Sequence, residues 1–349
     1  MRKIIVVGSG IIGLSCAAFL ALEGKKVQVI TRNPEEATSW VAGGMLAPFS
    51  EGLEEELFNF SYQSLREYPE FIRFLMEASG HHVDFREGGI YRIVLEGEEK
   101  LIDLGKLYKK KGHRVEFVEP KEELNLSKEV VSIIHYGEEG WVDAEMLMDS
   151  LLFALQRMNV EFVVDEITRA VMADEEVKEI IGIKSVYRGD FYLFAPGAWT
   201  KGIFDLPVYP LKGQALKARG VLLPRVHYST ISYLIPRTGY LYIGATSEDV
   251  GFLGGVSLEG LKKLSEGALR IVPRLSGASI TDMVFGYRPA TPDGKPIFEA
   301  GENYLVLTGH HRNGILHAPL TAKLALDYLR GSSNKFLETF SKDRFLKKT

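Results

Sequence analysis

The hydrophobic and polar positions at the beginning of the chain predict a β-strand, a tight turn, a helix and a second strand. Residues Lys3–Val7 are rich in β-branched side chains, residues 8–13 are rich in glycine, and residues 12–23 have helical character. Gly24 lies where a helix C-cap is expected, and the strand-like residues 27–30 follow it. Such a βαβ unit implies a parallel sheet with a right-handed crossover.

The rest of the chain mixes amphipathic helices with short alternating strands. Further helices are predicted at residues 54–79, 96–112, 144–158, Leu258–Ile271 and Gly314–Leu329, and further strands at 87–95, Glu161–Val164, 190–195, 215–218, 233–236, 241–243 and 304–307. The closely spaced strands between 215 and 243 indicate an antiparallel sheet. Because βαβ character occurs at both ends, we expect one domain to be completed by both termini, with a second domain inserted in it.

Composition narrows the classes of function. The chain has 349 residues, of which 46% are hydrophobic and 25% charged, and a formal net charge of −4, so no nucleic-acid partner is expected. Its single cysteine, Cys16, cannot form an intramolecular disulfide. No cysteine or histidine cluster has the spacing of metal ligands, so no metal is predicted.

The uncharged stretch 4–22 follows Arg2 and Lys3 and superficially resembles a signal peptide or a membrane span. Glycines interrupt it, no small-residue cleavage site follows it, and Lys25 and Lys26 precede the next strand. No other segment approaches the length needed to span a membrane. We therefore predict a cytoplasmic protein without a membrane partner.

The turn in the sequence VVGSGIIG has the G-x-G-x-x-G pattern of a dinucleotide-binding site. Gly8 permits the tight turn, Gly10 lets a pyrophosphate approach the backbone, and Gly13 lets the helix pack closely on the strand. The helix N-terminus offers free N–H groups and a partial positive charge to the phosphates. The position of the motif, between a strand and a helix, predicts dinucleotide binding.

The acidic residue that usually binds the ribose is missing from the end of the second strand. Thr31 and Arg32 occupy this place, and Glu35 and Glu36 lie too far along the chain. An arginine here can accommodate a 2′-phosphate instead. On this motif alone NADP remains a candidate.

Two longer segments resemble the signature stretches of the glycine oxidase and D-amino-acid oxidase family, with thiamine-pathway glycine oxidases as the closest match. They are TSWVAGGMLAP at residues 38–48, and residues 286–319, which begin GYRPATPDGKPI and end TGHHRNGILHAP. Shorter matches are GWVDAEML, APGAW, PLKGQ and YLIPRTGYLYIGAT. The resemblance extends along nearly the whole chain and argues against an NADP-linked dehydrogenase.

The resemblance implies FAD as cofactor and a fold of the α/β class, α+β overall. We expect a doubly wound, Rossmann-like FAD-binding domain formed by residues 1–80, 140–205 and 280–349. An antiparallel-sheet substrate domain, formed by residues 81–139 and 206–279, is inserted in it.

The resemblance also implies which residues contact FAD. They are Gly8, Gly10, Ile11, Ile12 and Gly13 at the phosphate turn; Thr31 and Arg32 at the adenosine ribose; Thr38 and Ser39 at the pyrophosphate; Gly43, Gly44 and Met45 at the isoalloxazine ring; Ile167 at the adenine; Gly197 in the APGAW segment; and His310, His311, Arg312, Asn313, Gly314, Ile315 and Leu316 over the pyrimidine side of the flavin. Gly314 begins a helix whose positive end can stabilise charge on a reduced flavin.

Three residues match those that hold the substrate in the family. Arg288 matches the arginine that binds the substrate carboxylate, as a planar guanidinium can do through two parallel hydrogen bonds. Tyr233 matches a tyrosine that contacts the same carboxylate, and Arg312 a second arginine near substrate and flavin. The alternatives are an interdomain arginine, a core tyrosine and a structural ion pair. We expect His310 and His311 to pack or hydrogen-bond, because the family needs no obligate base.

The implied activity is oxidation of glycine or a similar small amino acid to an imine, which hydrolyses to a 2-oxo acid and ammonia. O2 is the expected electron acceptor, with hydrogen peroxide as product and thiamine thiazole synthesis as the purpose. Ser247 and Ile231 replace a methionine and a histidine of the glycine oxidases, so a D-amino acid or sarcosine remains an alternative substrate. A dehydrogenase with another acceptor, a non-enzymatic dinucleotide sensor and a homo-oligomeric state also remain open.

Overall fold

The computed structural model describes residues 2–122, 126–332 and 334–346. In these ranges the α-helices are α1 (Ile11–Leu22), α2 (Glu55–Ser79), α3 (Lys100–Lys110), α4 (Ala144–Arg157), α5 (Leu258–Ile271), α6 (Gly314–Leu329) and α7 (Lys335–Thr339). The strands are β1 (Lys3–Val7), β2 (Lys26–Thr31), β3 (Met45–Leu46), β4 (Phe85–Glu87), β5 (Ile90–Leu95), β6 (Val115–Val118), β7 (Val130–Tyr136), β8 (Gly140–Val142), β9 (Glu161–Val164), β10 (Ile167–Ala173), β11 (Glu176–Gly182), β12 (Val186–Tyr187), β13 (Phe191–Phe194), β14 (Tyr209–Arg219), β15 (Val226–Tyr228), β16 (Tyr233–Arg237), β17 (Tyr240–Gly244), β18 (Ser279–Ala290), β19 (Ile297–Gly301) and β20 (Tyr304–Thr308).

A six-stranded sheet carries the two ends of the chain, in the order β19-β20-β13-β1-β2-β9. All neighbouring strands within this sheet are parallel except β19 and β20, which form an antiparallel pair at its edge. The central strand β1 is almost entirely buried, which explains its run of β-branched residues. Helix α1 is apolar around most of its circumference because it is buried against α4 and α6.

An eight-stranded sheet forms the second layer, in the order β18-β14-β17-β16-β15-β5-β7-β6. Its pairs are antiparallel, except for β15 with β5. Helix α5 covers part of one face, where Leu264, Ala268 and Ile271 join a core with Leu216 and Leu234. The predicted doubly wound domain and the predicted antiparallel sheet are therefore both confirmed; the domain boundaries remain a prediction.

Two predicted elements differ from the structure near one glycine-rich region. The strand predicted at residues 87–95 is two strands, β4 and β5, because Gly88 and Gly89 between them have φ values of 113° and 95°. The helix predicted from residue 96 begins at Lys100, because residues 95–98 form a turn in which Leu95 N–H donates to the Glu98 carboxylate at 3.1 Å.

In the described ranges no helix is long and apolar enough to span a membrane. The same ranges contain no group of three or more histidine, cysteine, aspartate or glutamate side chains that could hold a metal ion.

Candidate active site

A cavity of about 570 Å³ lies where the carboxyl ends of β1, β2 and β13 meet the eight-stranded sheet. This is the edge of a doubly wound sheet at which ligands generally bind. The predicted site residues that line it are Gly8, Gly10, Ile11, Ile12, Thr31, Arg32, Thr38, Ser39, Gly43, Gly44, Met45, Ile167, Gly197, Tyr233, Arg288, His310, His311, Arg312, Gly314 and Ile315.

Three predicted cofactor residues do not line the cavity. A Cβ on Gly13 would lie 2.0 Å from the Gly8 carbonyl oxygen, so this glycine permits close packing of α1 on the turn. Leu316, in the first turn of α6, is buried in the core, and Asn313 is buried just before that helix. Their contact with FAD remains a prediction.

The phosphate turn leaves room for a ligand at one glycine. Gly8 has a φ of +107°, and a Cβ there would lie 2.3 Å from the Ala195 carbonyl oxygen. At Gly10, by contrast, the nearest atom to a Cβ is Ser39 Oγ at 3.6 Å, so the space beside it is open. Gly10 caps α1 without a side-chain hydrogen bond, and the Ile11 N–H donates to Ser39 Oγ at 2.9 Å. This open helix N-terminus fits the pyrophosphate of a dinucleotide.

At the end of the cavity where the ribose is predicted, the positive charge of Arg32 is paired with Glu36. The Arg32 Nε lies 3.0 Å from Glu36 Oε2, and its guanidinium lies over the Trp199 ring at 4.7 Å from the centroid. Glu36, which the sequence placed too far along the chain, lines the cavity wall. The Glu36 carboxylate beside Arg32 would repel a 2′-phosphate, which disfavours the NADP interpretation of this position.

The loop before β3 is held firmly against the second layer. Gly44 has a φ of +68°, and a Cβ there would lie 2.0 Å from the Val142 carbonyl oxygen. Arg237 donates to the Gly43 carbonyl oxygen and stacks over the Trp141 ring at 4.2 Å. Burial lowers the pKa of Arg237, and the negative charge of Asp143 partly offsets this effect by raising it. These contacts fix the loop that we predict beside the isoalloxazine ring.

Helix α6 begins at the other side of the cavity with Gly314, and its N-cap residue makes no side-chain hydrogen bond. His310 precedes the helix, and its Nδ1 lies 3.1 Å from Nδ1 of His317, which is in the helix. Burial lowers the pKa of His310 to about 3. Burial and the charges of Arg312 and Arg288 lower the pKa of His311 to about 4. Both imidazoles are therefore neutral and weakly basic at neutral pH, as expected for residues that pack or hydrogen-bond.

Arg288 lies on β18, opposite Leu211 of β14. Its Nη1 donates to the Thr246 carbonyl oxygen at 3.0 Å, and a Cβ on Gly213 would lie 2.4 Å from its Nη2. The absence of a side chain at Gly213 thus makes room for the guanidinium. Burial raises the pKa of the neighbouring Tyr233, and the charge of Arg288 only opposes this rise, so the Tyr233 hydroxyl stays protonated.

Three tyrosines on adjacent strands form a stacked wall of the cavity. The ring centroids of Tyr228 and Tyr233 are 6.3 Å apart, and those of Tyr233 and Tyr242 are 6.2 Å apart, with interplanar angles of 10° and 3°. The Tyr242 hydroxyl donates to the Val41 carbonyl oxygen at 2.6 Å. Burial raises the pKa of Tyr228, and the nearby charge of Arg312 opposes this rise. Tyr228 was not predicted, because only the pairing of β15 with β16 brings it beside Tyr233.

Arg312 forms an ion pair with a carboxylate that the sequence did not reveal. Its Nε lies 3.2 Å from Glu51 Oε2, and the Glu51 side chain is 5% exposed. Burial raises the pKa of Glu51, whereas Arg312 and Arg288 oppose the rise. Glu51 follows the TSWVAGGMLAP segment, but no spacing rule marks it as a partner of a residue so distant in sequence.

A second buried carboxylate positions the backbone that carries Glu51. Glu139 accepts the N–H groups of Phe49 and Ser50 at 2.7 and 2.8 Å, and also the Ser50 hydroxyl. Burial raises the pKa of Glu139 to about 8. The turn before α2 is thereby tied to the segment between β7 and β8.

The comparison with protein families agrees with this geometry. A family model described as DAO, FAD dependent oxidoreductase, matches residues 3–328. The chain belongs to this family: it is an FAD-dependent oxidoreductase, and the expectation of FAD rather than NADP is confirmed.

Individual relatives narrow the resemblance. The chain is 33% identical over 365 residues to the "Bifunctional protein ThiO/ThiG" of Trichormus variabilis. This alignment covers 99% of the chain and 55% of that protein. It is 27% identical over 348 residues to the glycine oxidase of Pseudomonas aeruginosa, covering 95% of each. The crystal structure of glycine oxidase from Geobacillus kaustophilus superimposes with a TM-score of 0.92 at 26% identity, covering 99% of both chains. The chain thus spans just over half of the bifunctional relative and nearly all of the glycine oxidases.

Proposed function

We propose that this flavoenzyme oxidises the C–N bond of glycine or a similarly small amino acid. The observation that carries the proposal is the pair formed by Arg288 and Tyr233 at the end of the cavity bounded by the Gly43–Gly44 loop and the start of α6. A guanidinium beside a protonated hydroxyl is well suited to a carboxylate. The resemblance to proteins named glycine oxidase supports the choice of substrate.

In this proposal FAD, when bound, supplies the acceptor for the electrons removed from the substrate. Arg288 and Tyr233 hold the substrate carboxylate, which fixes the orientation of Cα and makes the reaction effectively intramolecular. The N-terminus of α6 favours negative charge at the adjoining part of the cofactor. The substrate amine loses its proton to solvent, and the imine product takes up water to give ammonia and a 2-oxo acid.

The cofactor contacts are part of the same proposal. Gly10 and Ser39 would hold the phosphates, Thr31 and Ile167 the adenosine, and Met45 and Gly314 the flavin ring. The predicted domain division also remains a proposal, with FAD held by the parallel-sheet domain and the substrate by the antiparallel-sheet domain.

We further propose that O2 is the electron acceptor and that the reaction serves thiamine thiazole synthesis. We also propose that the protein is cytoplasmic and can form homo-oligomers. Relatives named ThiO/ThiG and glycine oxidase support this assignment. An alternative substrate is a D-amino acid or sarcosine. Ser247 and Ile231, which differ from the glycine oxidase pattern, both line the cavity, so the pocket does not reproduce that pattern fully.

A substrate and acceptor panel tests the proposal. The FAD-loaded protein is assayed with glycine, sarcosine, D-alanine and L-proline, once by oxygen consumption and once with a redox dye under nitrogen. We expect the highest kcat/KM with glycine in the presence of oxygen, with hydrogen peroxide and ammonia in equal amounts. Turnover only with the dye would contradict the oxidase assignment, and preference for another amine would contradict glycine. Arg288→Lys, which keeps the charge but loses the fork geometry, is the matched control.

A further inference from the structure

The substrate end of the cavity contains two arginines, and their charges are compensated differently. Arg288 donates to the Thr246 carbonyl oxygen and lies beside Tyr233, and it forms no ion pair within the described part of the chain. Arg312 is paired with Glu51. A ligand therefore meets one guanidinium that no ion pair holds, Arg288, and one that Glu51 contacts directly, Arg312.

The contacts of Glu51 do not resemble those of a structural carboxylate. Its Oε2 is buried and makes no hydrogen bond, although it lies 3.2 Å from Arg312 Nε. The hydrogen bonds that hold this turn are made by Glu139 instead. Because burying a carboxylate costs free energy, the best explanation for Glu51 is the charge that it places against Arg312.

The two guanidiniums line the same cavity, so one ligand with two carboxylates can reach both. Arg288 and Arg312 both act on the same two side chains, since each opposes the rise in pKa that burial causes at Tyr233 and at Glu51. Without Glu51, the cavity would present two cations that no carboxylate of the described residues balances. A diacid with a short linker between its carboxylates could then contact both.

We infer that Glu51 is a specificity-determining residue that restricts the pocket to amines with a single carboxylate by occupying Arg312. This inference rests on the proposed function, in which Arg288 binds the substrate carboxylate. A second carboxylate on the substrate would be repelled by Glu51 and would have to displace it from Arg312. Specificity of this kind comes from an unfavourable contact with the wrong ligand rather than a better contact with the right one.

The test uses two unreactive ligands that differ by one carboxylate, methylthioacetate and thiodiacetate, neither of which contains an amine. Their dissociation constants for the FAD-loaded protein are measured by calorimetry and by the change in flavin absorbance. We expect the natural protein to bind the monoacid more tightly. In Glu51→Gln the ratio of the diacid to the monoacid dissociation constant should fall by about tenfold or more, the effect of one freed charge-assisted contact. Glu51→Asp, which keeps the charge, should retain the preference for the monoacid.

A second variant carries the test if Glu51→Gln does not fold. In Arg312→Met the second carboxylate meets no free guanidinium, so the ratio should stay as high as in the natural protein, and a fall would overturn the inference. In the double variant Glu51→Gln/Arg312→Met the gain in diacid binding should disappear. An unchanged ratio in Glu51→Gln, or a gain that survives loss of Arg312, overturns the inference. Failure of the proposed function is seen separately, as an Arg288→Met protein that binds the monoacid with undiminished affinity.

Discussion

Replacing Gly10 with alanine should separate the folding of the phosphate turn from its binding of FAD. Gly10 has extended backbone angles, φ −73° and ψ 174°, that alanine can adopt. A Cβ at this position would meet only Ser39 Oγ, at 3.6 Å. The folding cost is therefore that of a poorer N-cap, about 0.5–1 kcal/mol.

The cost to FAD binding should be larger, because the new methyl group occupies the space beside the helix N-terminus that the pyrophosphate needs. Forcing a methyl group into a filled site costs about 1–3 kcal/mol, which raises the dissociation constant by about 5- to 150-fold. Flavin fluorescence during titration of the apoprotein measures this constant, and calorimetric melting of the apoprotein measures folding.

Gly13→Ala is the matched control, since its Cβ would lie 2.0 Å from the Gly8 carbonyl oxygen. It should destabilise the apoprotein far more than Gly10→Ala does. The reasoning is refuted if Gly10→Ala binds FAD as tightly as the natural protein, or if the two variants lose equal stability.

Three further predictions concern the substrate anchor, a buried carboxylate and the choice of cofactor. Arg288→Met should raise the KM for glycine by at least about tenfold through loss of a charge-assisted contact, and steady-state kinetics with an unchanged KM would contradict this. Burial raises the pKa of Glu139 from 4.5 to about 8, so its proton stabilises the fold at low pH, and this contribution is lost as the pH rises through 8. The melting temperature of Glu139→Gln minus that of the natural protein should therefore increase as the pH rises from 5 to 8, which is about the interval between the two pKa values. A difference that does not change with pH would refute this prediction. FAD at a hundred times its dissociation constant should stabilise the apoprotein by about 2.7 kcal/mol, whereas NADPH should not, because Glu36 neutralises Arg32; equal stabilisation would count against the account of this end of the cavity.

Local patterns predicted the parts of the fold that depend on neighbouring residues. The strand, turn and helix around Gly8 and Gly13 follow from hydrophobic period and glycine spacing, and the structure has them within a residue or two. Helix α5 coincides with its predicted range, because Ser257 caps it and its apolar positions recur at helical spacing. The exact start of α3 depends instead on a turn closed by the Glu98 side chain, which no periodicity reveals.

The site residues that lie within a sequence motif were predictable, whereas those that only the tertiary structure brings together were not. Arg288 and Gly10 lie within segments that resemble a known family, so their places in the cavity were expected. Glu51 and Tyr228 approach Arg312 only after β15 has paired with β16 and Glu139 has positioned the turn before α2. The partner of Arg32 was missed for a simpler reason: residues Pro34–Glu36 form a helical turn, which brings Glu36 back towards it.

The central claim is that one cavity holds FAD and a small amino acid together, with Arg288 as the anchor. The most direct test is an anaerobic titration of the FAD-loaded protein with glycine, followed through the visible absorbance of the oxidised flavin. The account predicts complete bleaching by glycine in the natural protein. In Arg288→Met, the glycine concentration at half-maximal bleaching should be much higher. Bound flavin that glycine does not bleach, or that it bleaches equally well without Arg288, would contradict the account.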